Sequence, residues 1–530
     1  MRKRTSLKRL PKALAGMVST SLLLAACGEA PKKRAEGGGE KYAKTIEVVD
    51  GFDPNAHFDW AYPEFASSWD PIKSLTGSDI NFFEPAYDRL LREDVDGGIQ
   101  PMLATEYSAS DDGKTLTLKL REGLSFSDGT PFNAEAVKFN IERAAGPNSK
   151  INGELGQVAS VEAIDEYTVA IHLKGGIGSM PIALANRAGI MVSPAAAQSG
   201  LLETKPVGIG PYVVTEFVPG DRAEYAKSEN YWDPDAQRVA TMTYYYMTDD
   251  QTRLNALKSG ELDGARINPD QMDHLSGAGF TALSQPSAPY IYFMVNAGIA
   301  PFDAPEIRKA LNMALDRKAI SQGLYDGYCT PQIHPFTETG PAYSKKIGDG
   351  LDAFPFDPEA AKKIFKDKGI TELSVTTSVV NVTIYTKLAE IVQSELGAIG
   401  IDVKIHSAPT SEIVQAFAMD KTSQTFTSIA TGINDPDISN ARYIKPNALF
   451  NPGKVEYPDL IKYGDAGASS LDPEVRRPAY EKYLESWIKT PPHLMPICMI
   501  HQSIAVSDNV SGISQKANGY PDLRGVALKK

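Results

Sequence analysis

Three groups of residues have the types that chemistry needs. Gly208-Ile209-Gly210 is the first half of a phosphate-cradling turn, but the third glycine belongs at 213, where Val213 stands. Asp435, Asp437 and Ser439 repeat the alternate spacing with which a calcium loop presents oxygen ligands. Asn440 occupies the place of that loop's glycine and Pro446 the place of its bidentate glutamate, which argues against calcium. The seven histidines, at 57, 172, 274, 334, 406, 493 and 501, have no ligand spacing and read as surface or packing residues. P-loop, H-E-x-x-H and G-x-S-x-G patterns are missing from the sequence. A catalytic set built from distant positions would be invisible at this level, and nothing in the spacing supports one. The expectation is a binding protein rather than an enzyme, with no cofactor and no metal.

The composition narrows the partners. The chain has 530 residues, 54 Lys and Arg against 66 Asp and Glu, a formal charge of −12, 42% hydrophobic and 23% charged residues. That is a folded chain of roughly two to four domains by length. Its acidity argues against nucleic acid, which needs a basic face.

The N-terminus reads as an export signal. Arg2, Lys3, Arg4, Lys8, Arg9 and Lys12 precede an apolar and small-residue stretch, Ala13 to Ala26, which is short of the ~20 residues a spanning helix requires. Leu24-Ala25-Ala26-Cys27 is similar to the lipobox of bacterial lipoproteins, in which cleavage precedes a Cys that becomes diacylated. An incidental Cys behind a plain cleavage site is the alternative. Loss of residues 1–26 takes six of the 54 basic residues, leaving 48 against 66 acidic and a net charge of −18. Residues 27–44, with Lys32-Lys33-Arg34 and Gly37-Gly38-Gly39, read as the lipidated Cys and a flexible tether about 20–25 Å long. Lipid plus a short basic run is a two-signal membrane anchor. Cys329 and Cys498 are too few for a disulfide framework or a Cys-based zinc site. They are expected as separate buried thiols, with pairing in an oxidising compartment as the alternative.

The body alternates strands and helices. Strands are expected at 45–49, 116–120, 168–173 and 401–405. Asn133 can cap a helix with Val137, Ile141 and Ala144 on one face, ended by Gly146-Pro147. Pro305 opens another, striped by Ile307, Leu311 and Leu315, and Asp357-Pro358 a third, which stops at Gly369. Ile384, Leu388, Val392 and Leu396 mark a fourth. Asp112-Gly113 reads as a hairpin turn, Gly208 and Gly210 as points of close backbone packing, and Tyr231-Trp232 as packing. The βα alternation predicts an α/β fold with parallel-type sheets flanked by helices.

Several segments then fall into a familiar order. Pro101-Met-Leu-Ala, Ser110-Asp-Asp-Gly-Lys-Thr, Leu120-Arg-Glu-Gly, Phe126-Ser-Asp-Gly-Thr-Pro and the helix start at Asn133 are followed by Pro206-Val-Gly-Ile-Gly-Pro-Tyr, Asn230-Tyr-Trp, Leu257-Lys-Ser-Gly-Glu-Leu-Asp, Ile307-Arg-Lys-Ala-Leu-Asn-Met-Ala-Leu and Asp435-Pro-Asp. From about Thr45 onward this resembles family 5 of the extracellular solute-binding proteins, which includes oligopeptide-, dipeptide- and nickel-binding subunits of ABC importers. The resemblance implies a type II periplasmic-binding-protein fold, with two lobes joined by crossing strands and an extra domain inserted in lobe one. Lobe one would be 45–84, 205–297 and 500–530, the inserted domain 85–204, and lobe two 298–499. It also implies a monomeric receptor that closes on a small solute, by default a peptide, and delivers it to ABC permease subunits driven by cytoplasmic ATPases.

The site follows only by position. In peptide-binding relatives a strand before the Asp-Pro element pairs with the extended peptide, and Ser428, Ile429, Ala430, Thr431 and Gly432 occupy that place. Such relatives commonly carry an acid four residues before this proline to hold the peptide ammonium. Counting back from Pro436 gives Gly432, with Asp435 as a substitute after a loop shift. Thr76, Gly77, Tyr290, Tyr292 and Asn296 are further pocket candidates, the Tyr pair having packing between lobes as its alternative. Arg266 aligns with a ligand-facing loop and can fork onto a carboxylate, or be a surface residue. Gly432 and Arg266 together motivate the alternative of an anionic or non-peptide cargo, such as an opine, an oligosaccharide or a peptide-derived metabolite, with peptide kept as the default. A nickel chelate is a weaker candidate, and a surface hydrolase or adhesin on the same scaffold is the reading from another class.

Overall fold

The computed structural model describes residues 42–65, 68–74, 77–275, 278–430 and 435–530. Cys27 and most of the tether lie outside the described residues, as do Thr76, Thr431 and Gly432.

Helix starts follow their caps. The Asn133 side chain accepts from Ala136 N at 3.0 Å and opens the helix Ala134–Ala145. Asp357 accepts from Ala360 N at 2.9 Å ahead of Pro358–Asp367, and Gly369 follows with φ 76°. These side chains satisfy amides that have no intrahelical acceptor. Gly208 and Gly210 are close approaches: a Cβ would lie 2.1 Å from a Tyr87 ring carbon and 2.2 Å from the Ala86 carbonyl carbon, respectively. Tyr231 Oη and Trp232 Nε1 donate to Asp88 Oδ2 at 2.6 and 2.7 Å, and Arg524 holds Oδ1 at 3.0 Å.

An eleven-stranded sheet organises the molecule. In order it runs Ile401–Ala408, Leu373–Val380, Thr425–Ala430, Phe280–Val295, Leu494–Ser507, Gly264–Ile267, His57–Tyr62, Thr241–Tyr246, Arg222–Lys227 and Tyr212–Val218, with Cys329–Pro331 also paired to Leu494–Ser507. Its two central strands, of 16 and 14 residues, are antiparallel and cross the whole structure. Phe280–Pro286 and His501–Ser507 belong to one half of the sheet, and Tyr290–Val295 and Leu494–Met499 to the other. The register breaks between Pro286 and Tyr290. Both Pro286 and Pro289 lack the N–H that a central strand donates, and Ala288 N turns away to Ala517 O at 2.8 Å. The two halves therefore join through a short stretch with no ladder.

Each half has its own core. Trp60, Trp69, Tyr87, Leu118, Ile171 and Tyr225 are buried in one continuous cluster, which unites the first half of the sheet with the four-stranded antiparallel sheet Ala104–Ala109, Thr115–Leu120, Thr168–Leu173 and Val158–Asp165. Ile291, Phe293, Leu311, Val392, Phe426 and Trp487 fill the other.

Three expectations need correction. The sheets are not parallel-type: Leu373–Val380 pairs in parallel with Ile401–Ala408 and Thr425–Ala430, and His57–Tyr62 with Thr241–Tyr246 and Gly264–Ile267, while the crossing pair and the four-stranded sheet are antiparallel. Helical crossovers give parallel neighbours, whereas hairpins such as Asp111–Gly113 and the long return from Leu494 reverse the chain. The first strand covers Thr45–Ile46 only, where it meets Ile513 and Ser514. Cys329 and Cys498 are bonded, with S–S 2.00 Å and Cα–Cα 5.4 Å across 169 residues. Pairing of their two strands brings them together, a contact that local sequence does not encode.

Candidate functional site

Between the two halves lies a cavity of about 1060 Å³. One wall comes from Glu64, Phe65, Gly77, Tyr246 and Tyr520 with Lys150, Glu154 and Arg187; Ala288, in the stretch without ladder, touches the cavity; the other wall comes from Tyr290 to Phe450. Gly77 is required: a Cβ there would sit 2.3 Å from Tyr520 Oη.

The far wall is aromatic because alternate strand positions share a face. Tyr290 and Tyr292 oppose Ala430 and Ser428 across the ladder, and all four line the cavity. Tyr292 lies 6.0 Å from both Phe426 and Tyr443, centroid to centroid, and Tyr443 lies 5.5 Å from Phe450. The Tyr290 hydroxyl is buried and has no hydrogen-bond partner among the described residues. Arg442 projects beside this surface from a wide π-type turn, Asn440–Ile444. Its guanidinium lies 5.6 Å from the centroids of both Tyr443 and Phe450, and makes no hydrogen bond or ion pair among the described residues. Tyr443 beside it raises its pKa, and the side chain is exposed on the cavity wall.

A second polar group fastens the two walls together. Arg476 donates to Asp435 Oδ2 at 2.6 Å, to Gly467 O at 3.1 Å and to Gly178 O at 3.2 Å. Ser179 Oγ donates to Asp437 Oδ2 at 3.0 Å, and Gly178 N to Ala468 O at 2.8 Å. Burial lowers the Arg476 pKa, Asp435 raises it, and the net shift is upward. Burial, opposed by Lys445, raises the Asp437 carboxyl.

Residues 98–448 match the model of the bacterial extracellular solute-binding proteins, family 5. The chain belongs to that family. Among its relatives, the glutathione-binding protein GsiB of Escherichia coli K12 is 33% identical over 327 residues, 60% of this chain and 63% of the relative, so the match spans less than two thirds of that protein. The periplasmic binding protein AgaA of Agrobacterium tumefaciens R10, solved with agropinic acid, superposes with TM-score 0.77 at 23% identity, covering 90% of this chain and 99% of its own. DppA of Helicobacter pylori, solved with the peptide STSA, gives 0.76 at 22%, covering 91% and 99%. At these identities the solved structures establish the fold, a type II periplasmic binding protein.

Within this family 5 fold the candidates separate. Gly77, Tyr290, Tyr292, Ser428, Ile429, Ala430 and Asp435 line the cavity. Asn296 does not: it lies one residue past its strand, where its Oδ1 caps Gly298 N at 3.0 Å. Nor does Arg266 line it; the guanidinium donates to Gln502 Oε1 and, at 3.3 Å, to Asn268 Oδ1. Asp435 reaches the cavity with its carboxylate bonded to Arg476 through Oδ2 and to the Asp437 amide through Oδ1. Arg442, Tyr443, Tyr385, Glu64 and Tyr520 were not found by spacing. The Asn440-Ala441-Arg442-Tyr443 turn has no periodicity, and its proximity to Asp435-Pro436 was the one available signal.

Proposed function

We propose that the chain is the solute-capturing component of an ABC importer. It closes its two lobes on one small molecule and presents the closed form to permease subunits. The observation that carries this reading is the interlobe cavity, bounded by both halves of a sheet that is continuous only through two long strands broken at Pro286–Pro289. Its volume is at the upper end of the roughly 300–1,000 Å³ of small-molecule sites, and a hinge of this kind permits rigid-body closure. Family membership supports the role, and the lobe and insert boundaries at 84/85, 204/205, 297/298 and 499/500 belong to the same reading. Peptides remain the default cargo class, supported by the glutathione-binding relative. Agropinic acid bound by AgaA supports the non-peptide alternative.

Export and lipidation at Cys27 complete the reading. Among the described residues no helix is long and apolar enough to cross a membrane. Cys27→Ser is expected to move the chain from the membrane fraction to the soluble one.

The test is a thermal-shift screen of residues 28–530 against di- to pentapeptides, opines, oligosaccharides and metal chelates. A ligand of the folded state at 100 times its Kd stabilises by about 2.7 kcal/mol. Saturable stabilisation by one class, with a smaller radius of gyration in solution scattering, is expected. Turnover of the bound compound, or binding without compaction, contradicts the reading.

A further inference from the structure

We propose that the captured solute carries a carboxylate, or an equivalent planar oxyanion, that seats on Arg442 with the adjoining part of the molecule against Tyr292, Tyr443 and Phe450. This rests on the capture reading above and names the ligand class of the same cavity.

Consider first which charges in the cavity are committed. Asp79 accepts from Ser74 at 2.7 Å, Glu154 from Arg187 Nε at 2.9 Å, Asp435 from Arg476, and Asp437 from Ser179. Among the described residues the far wall has no uncommitted acid; Glu64, which makes no hydrogen bond or ion pair among them, stands on the opposite wall. Arg442 is the reverse case. Two aromatic faces give its exposed guanidinium a modest attraction, about 0.5–1 kcal/mol, and leave its five N–H donors without acceptors among the described residues.

Closure makes that arrangement costly unless a ligand completes it. Excluding water from an unpaired cation carries a penalty of several kcal/mol, which a neutral solute would not relieve. A carboxylate accepts two parallel N–H bonds from the fork. The Tyr290 hydroxyl is an independent sign of a ligand: Tyr290 is 5% exposed, lines the cavity, and its hydroxyl has no partner among the described residues. An oxyanion has lone pairs enough for both the fork and a hydroxyl. An ammonium group offers the guanidinium no acceptor and could meet the hydroxyl only by donating to its oxygen.

The experiment is calorimetric titration of residues 28–530 with glutathione and Ala-Phe-Ala, each as free acid and with every carboxylate amidated, in wild type and Arg442→Gln. At least one free acid is expected to bind wild type, with its amide weaker by about tenfold or more, as for a hydrogen bond to a charged group. Arg442→Gln should lose about tenfold for the acid and little for the amide, so that the two substitutions are not additive. Arg442→Lys should recover part of the loss, and Arg477→Gln, which removes an exposed cation paired to Glu474, should bind the acid as the wild type does. The ligand-free melting temperature of Arg442→Gln checks that the variant is folded. Equal binding of acid and amide, or undiminished acid binding by Arg442→Gln, overturns the proposal. If both free acids fail while a neutral or cationic compound from the solute screen stabilises the chain, the ligand class falls and the capture reading stands. If every compound in both experiments fails, both fall.

Discussion

Arg476 and Arg442 rise from the same lobe and reach the same cavity region, yet their surroundings differ completely. Arg476 is buried, bonded to Asp435, Gly467, Gly178 and Tyr480, and part of the contact that joins the two walls. Arg442 lines the cavity with aromatic faces for company and no acceptor among the described residues. A charge with all its partners in the chain holds structure, whereas a charge exposed on a cavity wall without partners is open to something from outside. The same test marks Asp435 as an acid paired with a guanidinium.

Substitutions can break this contrast. Arg476→Ala leaves Asp435 buried and unpaired, and removal of one partner from such a pair costs about 3–5 kcal/mol; a fall in denaturant midpoint for the ligand-free chain checks it. If Arg442→Ala destabilised the ligand-free chain as much, the distinction would fail. Reduction of Cys329–Cys498 comes next. A disulfide typically contributes about 2–4 kcal/mol, so thiol reductant should lower the melting temperature of the wild type and leave Cys329→Ser/Cys498→Ser unaffected.

Buried histidines extend the contrast to pH. Burial, opposed by the bond to Phe450 O, takes His493 down to about 4, and burial alone takes His501 down to about 4. Between about 4 and the unfolded value of 6.5 the unfolded chain binds more protons, so stability falls as pH drops through that window and is regained above it. Glu395, raised to about 7 by burial, acts with the opposite sign between 4.5 and 7 and offsets part of the effect. Melting temperature measured from pH 4 to 7 should rise, and His501→Gln should flatten the slope. The smallest effect is on Arg442→Ala without ligand, where loss of two ring contacts should change stability by less than about 1 kcal/mol.

What the sequence revealed was local. Asn133, Asp357-Pro358 and Pro305 mark helix starts because a cap or a missing N–H acts within a few residues. The strand 168–173 is visible through alternation, and the tyrosines at 290 and 292 share a face for the same reason. The cysteine pair, 169 residues apart, depends on strand pairing. Asp435 was found from the Asp-Pro element, but its partner lies 41 residues on and decides its role. Arg442 stands in a turn without periodicity, so only the three-dimensional neighbourhood distinguishes it from Arg266, whose donors are taken up by Gln502 and Asn268.

A crystal structure of the chain with the free acid that binds it most tightly tests the central claim most directly. The account predicts a closed cavity with ligand oxygens about 2.7–3.2 Å from the Arg442 guanidinium and Arg476 still bonded to Asp435. A ligand whose charged group displaces Arg476 from Asp435, or that leaves Arg442 without an acceptor, would contradict it.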